Sequence, residues 1–248
     1  MPLISIITPA FNAVQTLSAA IDSVRAQGFQ DWEMIIIDDA SLDGTTALST
    51  RYTIVDQRIR IIRRAENCGV SKARNHGLAA ATGRYVAFMN ANDLWLPEKL
   101  QNQLDFMQST HAMISCTGYR RFRNRNMVGR VLKSPPRVTF DTLLQKNTIG
   151  ASTVMIDRDY SGPFHFNEEL SDHEDLALWL DFTKSGTDIY FLDQDLARQR
   201  RTMSSPARWP GSLWSLWRVF RHIAGIPVQQ SLKAFWHHFL YKAGTSAF

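Results

Sequence analysis

The sequence predicts an α/β fold, with a mostly parallel central sheet flanked by helices and a C-terminal helical extension. Three observations lead there. Short apolar runs alternate with helical periodicity through residues 1–110, the order that builds a parallel sheet with right-handed crossovers. Successive runs end in polar clusters, as expected where an open sheet turns the carboxyl ends of its strands toward a ligand. The last stretch holds two amphipathic patterns separated by Gly225-Ile226-Pro227.

Ile4 to Thr8 reads as a buried strand. Asn12 is placed to cap a helix whose apolar positions Val14, Leu17, Ile21 and Val24 recur at helical spacing. Glu33 to Ile37 is a second strand ending in Asp38-Asp39. Asp43-Gly44 marks a turn, and a helix begins near Thr45. Arg58 to Arg63 is a third strand, and Ser71 opens a helix through Ala81. Tyr85 to Met89 is a fourth strand running into Asn90-Ala91-Asn92-Asp93, and a helix spans Pro97 to about Gln108. Beyond it, Ala112 to Thr117, Ser152 to Ile156 and Ile189 to Leu192 read as strands, and Asp172 to Phe182 as a helix. Tyr119 to Arg137 holds seven basic residues and no acid, and reads as a solvated hairpin or loop. The expected organisation is one domain over 1–205, in halves 1–110 and 111–205, and a basic, aromatic tail over 206–248.

A hydrophobic content of 44% suits a globular domain with a real core. The net charge of +5 is unevenly placed. From Leu196 onward there is no Asp or Glu but eight Lys or Arg, so the remainder carries 5 − 8 = −3. Four of the seven Trp lie in that same stretch, a composition suited to anionic lipid or nucleic acid. No nucleic-acid motif accompanies it, so a nucleic-acid partner is not expected. Cys68 and Cys116 match no metal spacing and read as free thiols in a reducing compartment. No basic segment followed by an apolar run precedes the first strand, so no signal peptide is expected, and no apolar run is long enough for a spanning helix.

The polar clusters after the strands are Pro9-Ala10-Phe11-Asn12, Asp38-Asp39, Asn67-Cys68-Gly69 with Lys72 and Arg74, and Asn90-Ala91-Asn92-Asp93. On one rim they would supply a carboxylate for a base N–H, an aromatic to stack on it and cations for phosphate. No Gly-x-Gly-x-x-Gly or Walker run occurs, so dinucleotide and P-loop readings are weak.

Ordered motifs then resemble glycosyltransferase family 2, inverting nucleotide-sugar enzymes of the GT-A fold. They are Ser5-Ile6-Ile7-Thr8-Pro9-Ala10-Phe11-Asn12, Ile35-Ile36-Ile37-Asp38-Asp39-Ala40-Ser41-Leu42-Asp43-Gly44-Thr45, Asn67-Cys68-Gly69-Val70-Ser71-Lys72-Ala73-Arg74-Asn75-His76-Gly77, Leu94-Trp95-Leu96-Pro97 and His173-Glu174-Asp175. The resemblance covers roughly residues 3–205. It implies that Asp39 hydrogen-bonds a uracil base, Phe11 stacks near it, Pro9 shapes the first loop, Asn67 joins the donor pocket and Arg74 approaches base or diphosphate. Asp175 would be the general base. Asn92 and Asp93, with Asn90 as a further candidate, fall where the family holds Mg²⁺ or Mn²⁺ and the sugar diphosphate. Arg200, Arg201 and Ser204 fall in a loop that folds over the donor, where one of the arginines would meet the diphosphate. The implied function is transfer of a hexose or N-acetylhexosamine from a UDP-sugar to a growing, lipid-linked glycan, on the cytoplasmic face of the membrane.

The family pattern reads Asp-x-Asp-Asp where this chain has Asn90-Ala91-Asn92-Asp93. An Asn carbonyl ligates a hard cation without charge. Three readings stay open: a weakened metal site, which is the expected one, replacement of the ion by Lys72 or Arg74, or a disabled site in a nucleotide-sugar-binding pseudoenzyme. Asp38 and Asp39 alone could cap a helix, and Asp175 could sit in a first turn for dipole reasons. His237 and His238 read as surface or interfacial residues. The terminal helices either pack their aromatic faces on the domain or lie in a membrane interface; the lack of acids favours the interface.

Overall fold

A computed structural model describes residues 1–123, 126–200 and 209–246. Its first half is the expected alternation: β1 (Ile4–Ala10), α1 (Leu17–Arg25), β2 (Trp32–Asp38), α2 (Thr45–Val55), β3 (Ile59–Arg63), α3 (Val70–Ala80) and β4 (Tyr85–Phe88). A two-residue strand β5 (Leu94–Trp95) and helix α4 (Lys99–Thr110) follow. The second half comprises β6 (Ile114–Arg123), β7 (Asn126–Leu132), β8 (Arg137–Val138), α5 (Phe140–Gln145), β9 (Met155–Asp157), α6 (Arg158–Ser161), α7 (Glu174–Lys184) and β10 (Ile189–Arg200). It closes with α8 (Trp209–Arg218), a π-helical turn over Val219–Ile223 and α9 (Val228–Ser246).

The strands form one sheet in the order β3-β2-β1-β4-β9-β6-β10-β5, with β7 on β6 and β8 on β10. β3, β2, β1 and β4 are mutually parallel, so their carboxyl ends share one rim. β9 then runs antiparallel to both β4 and β6, while β10 is parallel to β6. The sheet is therefore parallel where donor-binding motifs were expected and mixed beyond.

Alternate residues of the parallel strands feed two cores. Ile7, Ile35 and Ile37 face one that includes α3, α7 and the terminal helices; Ile6, Met34 and Ile36 face another that includes α1 and α4. Burial on both faces is why these strands read as continuous apolar runs. Helix α3 lies close on the sheet at Gly77, where a Cβ would come within 2.5 Å of the Ile7 side chain.

Several elements depart from expectation. Asn12 does not cap α1: it takes a positive φ of 48°, and its Oδ1 accepts from Leu42 N at 2.9 Å, tying the first loop to the second. β10 runs twelve residues, not four, because two register shifts absorb the polar Asp193–Asp195 interruption. The basic hairpin faces acids on or beside β10: Arg120 meets Asp195, Lys133 meets Asp193 and Arg137 meets Asp188. The terminal helices are no separate appendage, because Leu216, Val219, Phe220, Ala224 and Ala234 are buried in the first core. His238 is buried too, its Nε2 lying 2.8 Å from the Leu143 carbonyl.

Candidate functional site

The rim begins at the β1–α1 and β2–α2 loops. Asp38 holds its own turn, accepting from Ser41 N at 3.0 Å and from the Thr46 hydroxyl. Asp39 reaches across instead, accepting from the backbone N–H groups of Cys68 (3.1 Å) and Gly69 (2.8 Å) and pairing with Arg64 at 3.2 Å. Gly69 adopts φ 87°, a conformation that favours glycine and lets the loop after β3 turn its N–H groups onto the carboxylate. Adjacent acids thus do different work: one is a turn residue, the other fixes the entry to α3. Phe11 projects beside them, 50% exposed, and Asn67 is exposed on the loop after β3.

The loop after β4 is built on Asp93, which is 1% exposed. One oxygen accepts from Arg200 N at 2.9 Å; the other accepts from the Ser152 hydroxyl at 2.6 Å and from Asn90 Nδ2 at 3.0 Å. Burial raises its carboxyl above the ordinary range, against the pull of these donors and of the Arg200 charge. Ser152 also accepts from Asn90 N at 3.0 Å, and its carbonyl accepts from Trp95 Nε1 at 2.7 Å. Arg200 arrives because the end of β10 pairs with β5, Arg198 opposite Leu94; its Nε then donates to the Asn92 carbonyl at 3.1 Å.

Arg74, 3% exposed on α3, joins this loop to α7. One terminal nitrogen donates to Asn90 Oδ1 at 3.0 Å and the other to Glu174 Oε1 at 2.8 Å. The guanidinium lies 5.0 Å from the Phe166 ring centroid. Burial, then the neighbouring Asp175 charge, raises the Glu174 carboxyl, and Arg74 only partly offsets this. Asp175 follows in the same first turn, half-buried, with Oδ1 accepting from Leu176 N at 2.7 Å. His173, at φ 63°, turns the chain into α7. The acid-bearing turn of α7 is thereby latched to the polar ends of α3 and β4.

The donor set does not fit a divalent cation. Asp93 is 1% exposed, so the lone pair that its Oδ1 keeps beside Arg200 N is closed to an ion, while its Oδ2 holds Ser152 and Asn90; Asn90 Oδ1 is taken by Arg74. That leaves the neutral Asn92 carboxamide oxygen, on a half-buried side chain, as the accessible motif oxygen for which the described residues supply no donor. Among the described residues no group of three or more His, Cys, Asp or Glu is placed to hold an ion. The expectation of a metal bound through Asp93 meets a carboxylate buried among Arg200 N, Ser152 and Asn90.

Residues 5–160 match the sequence profile described as glycosyl transferase family 2. The chain belongs to glycosyltransferase family 2. The Bacillus subtilis protein TuaG, whose name assigns it provisionally to teichuronic acid biosynthesis as a glycosyltransferase, is 36% identical over 95% of this chain and 92% of its own length. WfgD of Escherichia coli, a UDP-Glc:α-D-GlcNAc-diphosphoundecaprenol β-1,3-glucosyltransferase, is 35% identical over 73% of this chain and 70% of its own length. The crystal structure of Staphylococcus aureus TarS residues 1–349 with UDP-GlcNAc superposes with a TM-score of 0.71, at 19% identity, covering 94% of this chain and 69% of that 1–349 chain. The GT-A-like α/β fold expected from the motifs is the fold observed.

In this family 2 glycosyltransferase, Pro9 lies at the carboxyl end of β1, Phe11, Asp39 and Asn67 occupy the loops after the first three parallel strands, and Arg74, Asn90, Asn92 and Asp93 surround the end of the fourth. Asp175 lies one residue beyond the Arg74 partner. Arg200 reaches the motif; Arg201 and Ser204 lie outside the described residues. Ser152 and Glu174 are what sequence reading missed or undervalued. Ser152 sits 59 positions from Asp93, in a stretch read as strand, and no local pattern links them. Glu174 had a signal in its adjacency to Asp175, but its buried partner lies 100 positions away.

Proposed function

We propose that the chain is an inverting glycosyltransferase that moves a hexose or N-acetylhexosamine from a UDP-sugar to a hydroxyl of a lipid-linked glycan in cell-envelope polysaccharide synthesis. The observation that carries this is the Glu174–Arg74–Asn90 bridge, which sets the first turn of α7 against the rim that holds Asp39. Asp39 has lone-pair capacity left for the uracil N3–H, and Phe11 offers its exposed ring for stacking. Pro9 and Asn67 frame that end of the pocket. Asp175 takes the proton from the acceptor hydroxyl; that oxygen bonds to the anomeric carbon as the carbon–oxygen bond to the diphosphate breaks, and UDP departs with the electron pair. One displacement inverts the anomeric centre. The names of TuaG and WfgD support the envelope glycan and a diphosphoundecaprenol acceptor.

The substitution Asp175→Asn tests this. Transfer from UDP-glucose or UDP-GlcNAc to a diphospholipid-linked sugar should fall by about 10²–10⁴-fold, while UDP binding persists. Undiminished transfer removes Asp175 from the chemistry. The amides at 90 and 92 favour a second reading, a nucleotide-sugar-binding protein without transfer; donor binding with no UDP released in the wild type would establish it.

The same reading places the protein peripherally on the inner face of the membrane, through residues 206–248. No helix among the described residues is long and apolar enough to cross a bilayer. Helix α9 instead turns Ser231, Ala234 and His238 inward and leaves Val228, Leu232, Trp236 and Leu240 exposed at four-residue spacing. Trp214 of α8 is exposed as well, at 63%. An outward apolar stripe on an acid-free segment suits an interfacial helix on anionic lipid.

A further inference from the structure

The two amides of the motif change the charge of the site by as much as an ion would. Relative to Asp-x-Asp-Asp, Asn90 and Asn92 remove two negative charges, the same electrostatic change that binding one divalent cation to two carboxylates brings. The structure shows how the first amide is built in. Asn90 Oδ1 accepts from Arg74 at 3.0 Å while its Nδ2 donates to Asp93 Oδ2 at 3.0 Å. Only a group with an acceptor at one end and a donor at the other fits between a guanidinium and a carboxylate. An Asp there would set two carboxylates against each other in a buried site. Positive charge is already present: the Arg200 guanidinium stands on the Asn92 carbonyl, and no described residue accepts from its terminal nitrogens.

Resting on the donor reading above, we propose that this chain grips the diphosphate of its nucleotide sugar without a divalent cation. Asn92 hydrogen-bonds a phosphate oxygen through its amide, and Arg200 supplies the charge that stabilises the departing diphosphate. Asn90 is a positioning residue: it locks Arg74 to the Asp93-centred loop and keeps that loop closed to metal.

Calorimetric titration of UDP into the full chain, in EDTA and again in Mn²⁺, tests this without a turnover assay. The dissociation constant should change by less than about twofold between the two. The variant Asn92→Asp, at a half-buried position where folding is not at stake, returns a carboxylate beside the phosphates. It should weaken UDP binding about tenfold or more in EDTA and recover in Mn²⁺. Wild-type binding lost in EDTA and restored by Mn²⁺ would overturn the inference. So would N92D protein that binds UDP in EDTA as the wild type does, since residue 92 would then not face the phosphates. No UDP binding under any condition would remove the donor reading itself, and the inference with it.

Discussion

Glu174 and Arg74 form an ion pair at 2.8 Å in which both side chains are largely withdrawn from water. Such a pair adds little over an apolar substitute, but breaking it strands a charge in the interior. Glu174→Ala should therefore cost about 3–5 kcal/mol in urea unfolding, and Glu174→Gln, which keeps an acceptor for Arg74, markedly less. The raised Glu174 carboxyl gives a pH signature. A folded-state value above the ordinary 4.5 favours the protonated form, so the stability it contributes is full below 4.5 and is lost as pH rises through the folded value. The stability difference between E174Q and wild type should shift in favour of the variant across that interval; a constant difference would mean the carboxylate is not desolvated. The sequence showed Arg74 and Glu174 as two charges in two motifs. That they neutralise each other follows only from α3 and α7 packing on the same sheet face, where neither charge has water to turn to.

Helix α4 shows what an element hides from its own sequence. Its apolar residues Leu100, Leu104 and Met107 face the core, and Lys99 is fully buried with them. Its ammonium lies 4.1 Å from the Trp95 ring centroid and donates to Gln103 Oε1 at 2.7 Å. Burial pushes the lysine down from 10.5 to about 7. A depressed lysine contributes stability that is full above 10.5 and is lost as pH falls toward about 7. The melting temperature of the wild type, taken relative to Lys99→Met, should accordingly climb between these limits. A flat difference would show that the charge is accommodated without penalty by the ring and Gln103. At the same scale, β10 was legible only at its start. The polar residues 193–195 look like a loop, and the strand resumes because β6 offers unpaired backbone on its flank. That continuation delivers Arg200 to the motif.

Over the whole molecule, the terminal helices are both core and surface. Ser212 lies 3.2 Å from His173 Nε2, Arg218 pairs with Glu169 at 2.8 Å, and Lys184 donates to the Ala224 carbonyl at 2.9 Å. The tail thus braces the loop and helix that carry Asp175, and removing it would strip the first core. Membrane attachment has to be tested with the helices in place. The double change Trp214→Ser and Trp236→Ser, at side chains 63% and 55% exposed, should abolish flotation with vesicles containing phosphatidylglycerol while leaving the melting temperature near that of the wild type. Flotation equal to the wild type would move the membrane contact elsewhere.

By itself the sequence determined the parallel half of the sheet, because strands buried on both faces must be apolar throughout and their connecting helices must repeat at 3.6 residues. It also determined the family and which residue types stand at each strand's end. Tertiary structure alone decided what those residues touch. Asp93 turns inward onto Ser152 and Arg200, Asn90 bridges a guanidinium and a carboxylate, and the aromatic tail divides into a buried and an exposed side. The Asp93 contacts span 59 and 107 positions and even the Asn90–Arg74 bond spans 16, and hydrogen-bond geometry over such separations is fixed by the packing of whole elements rather than by any local pattern.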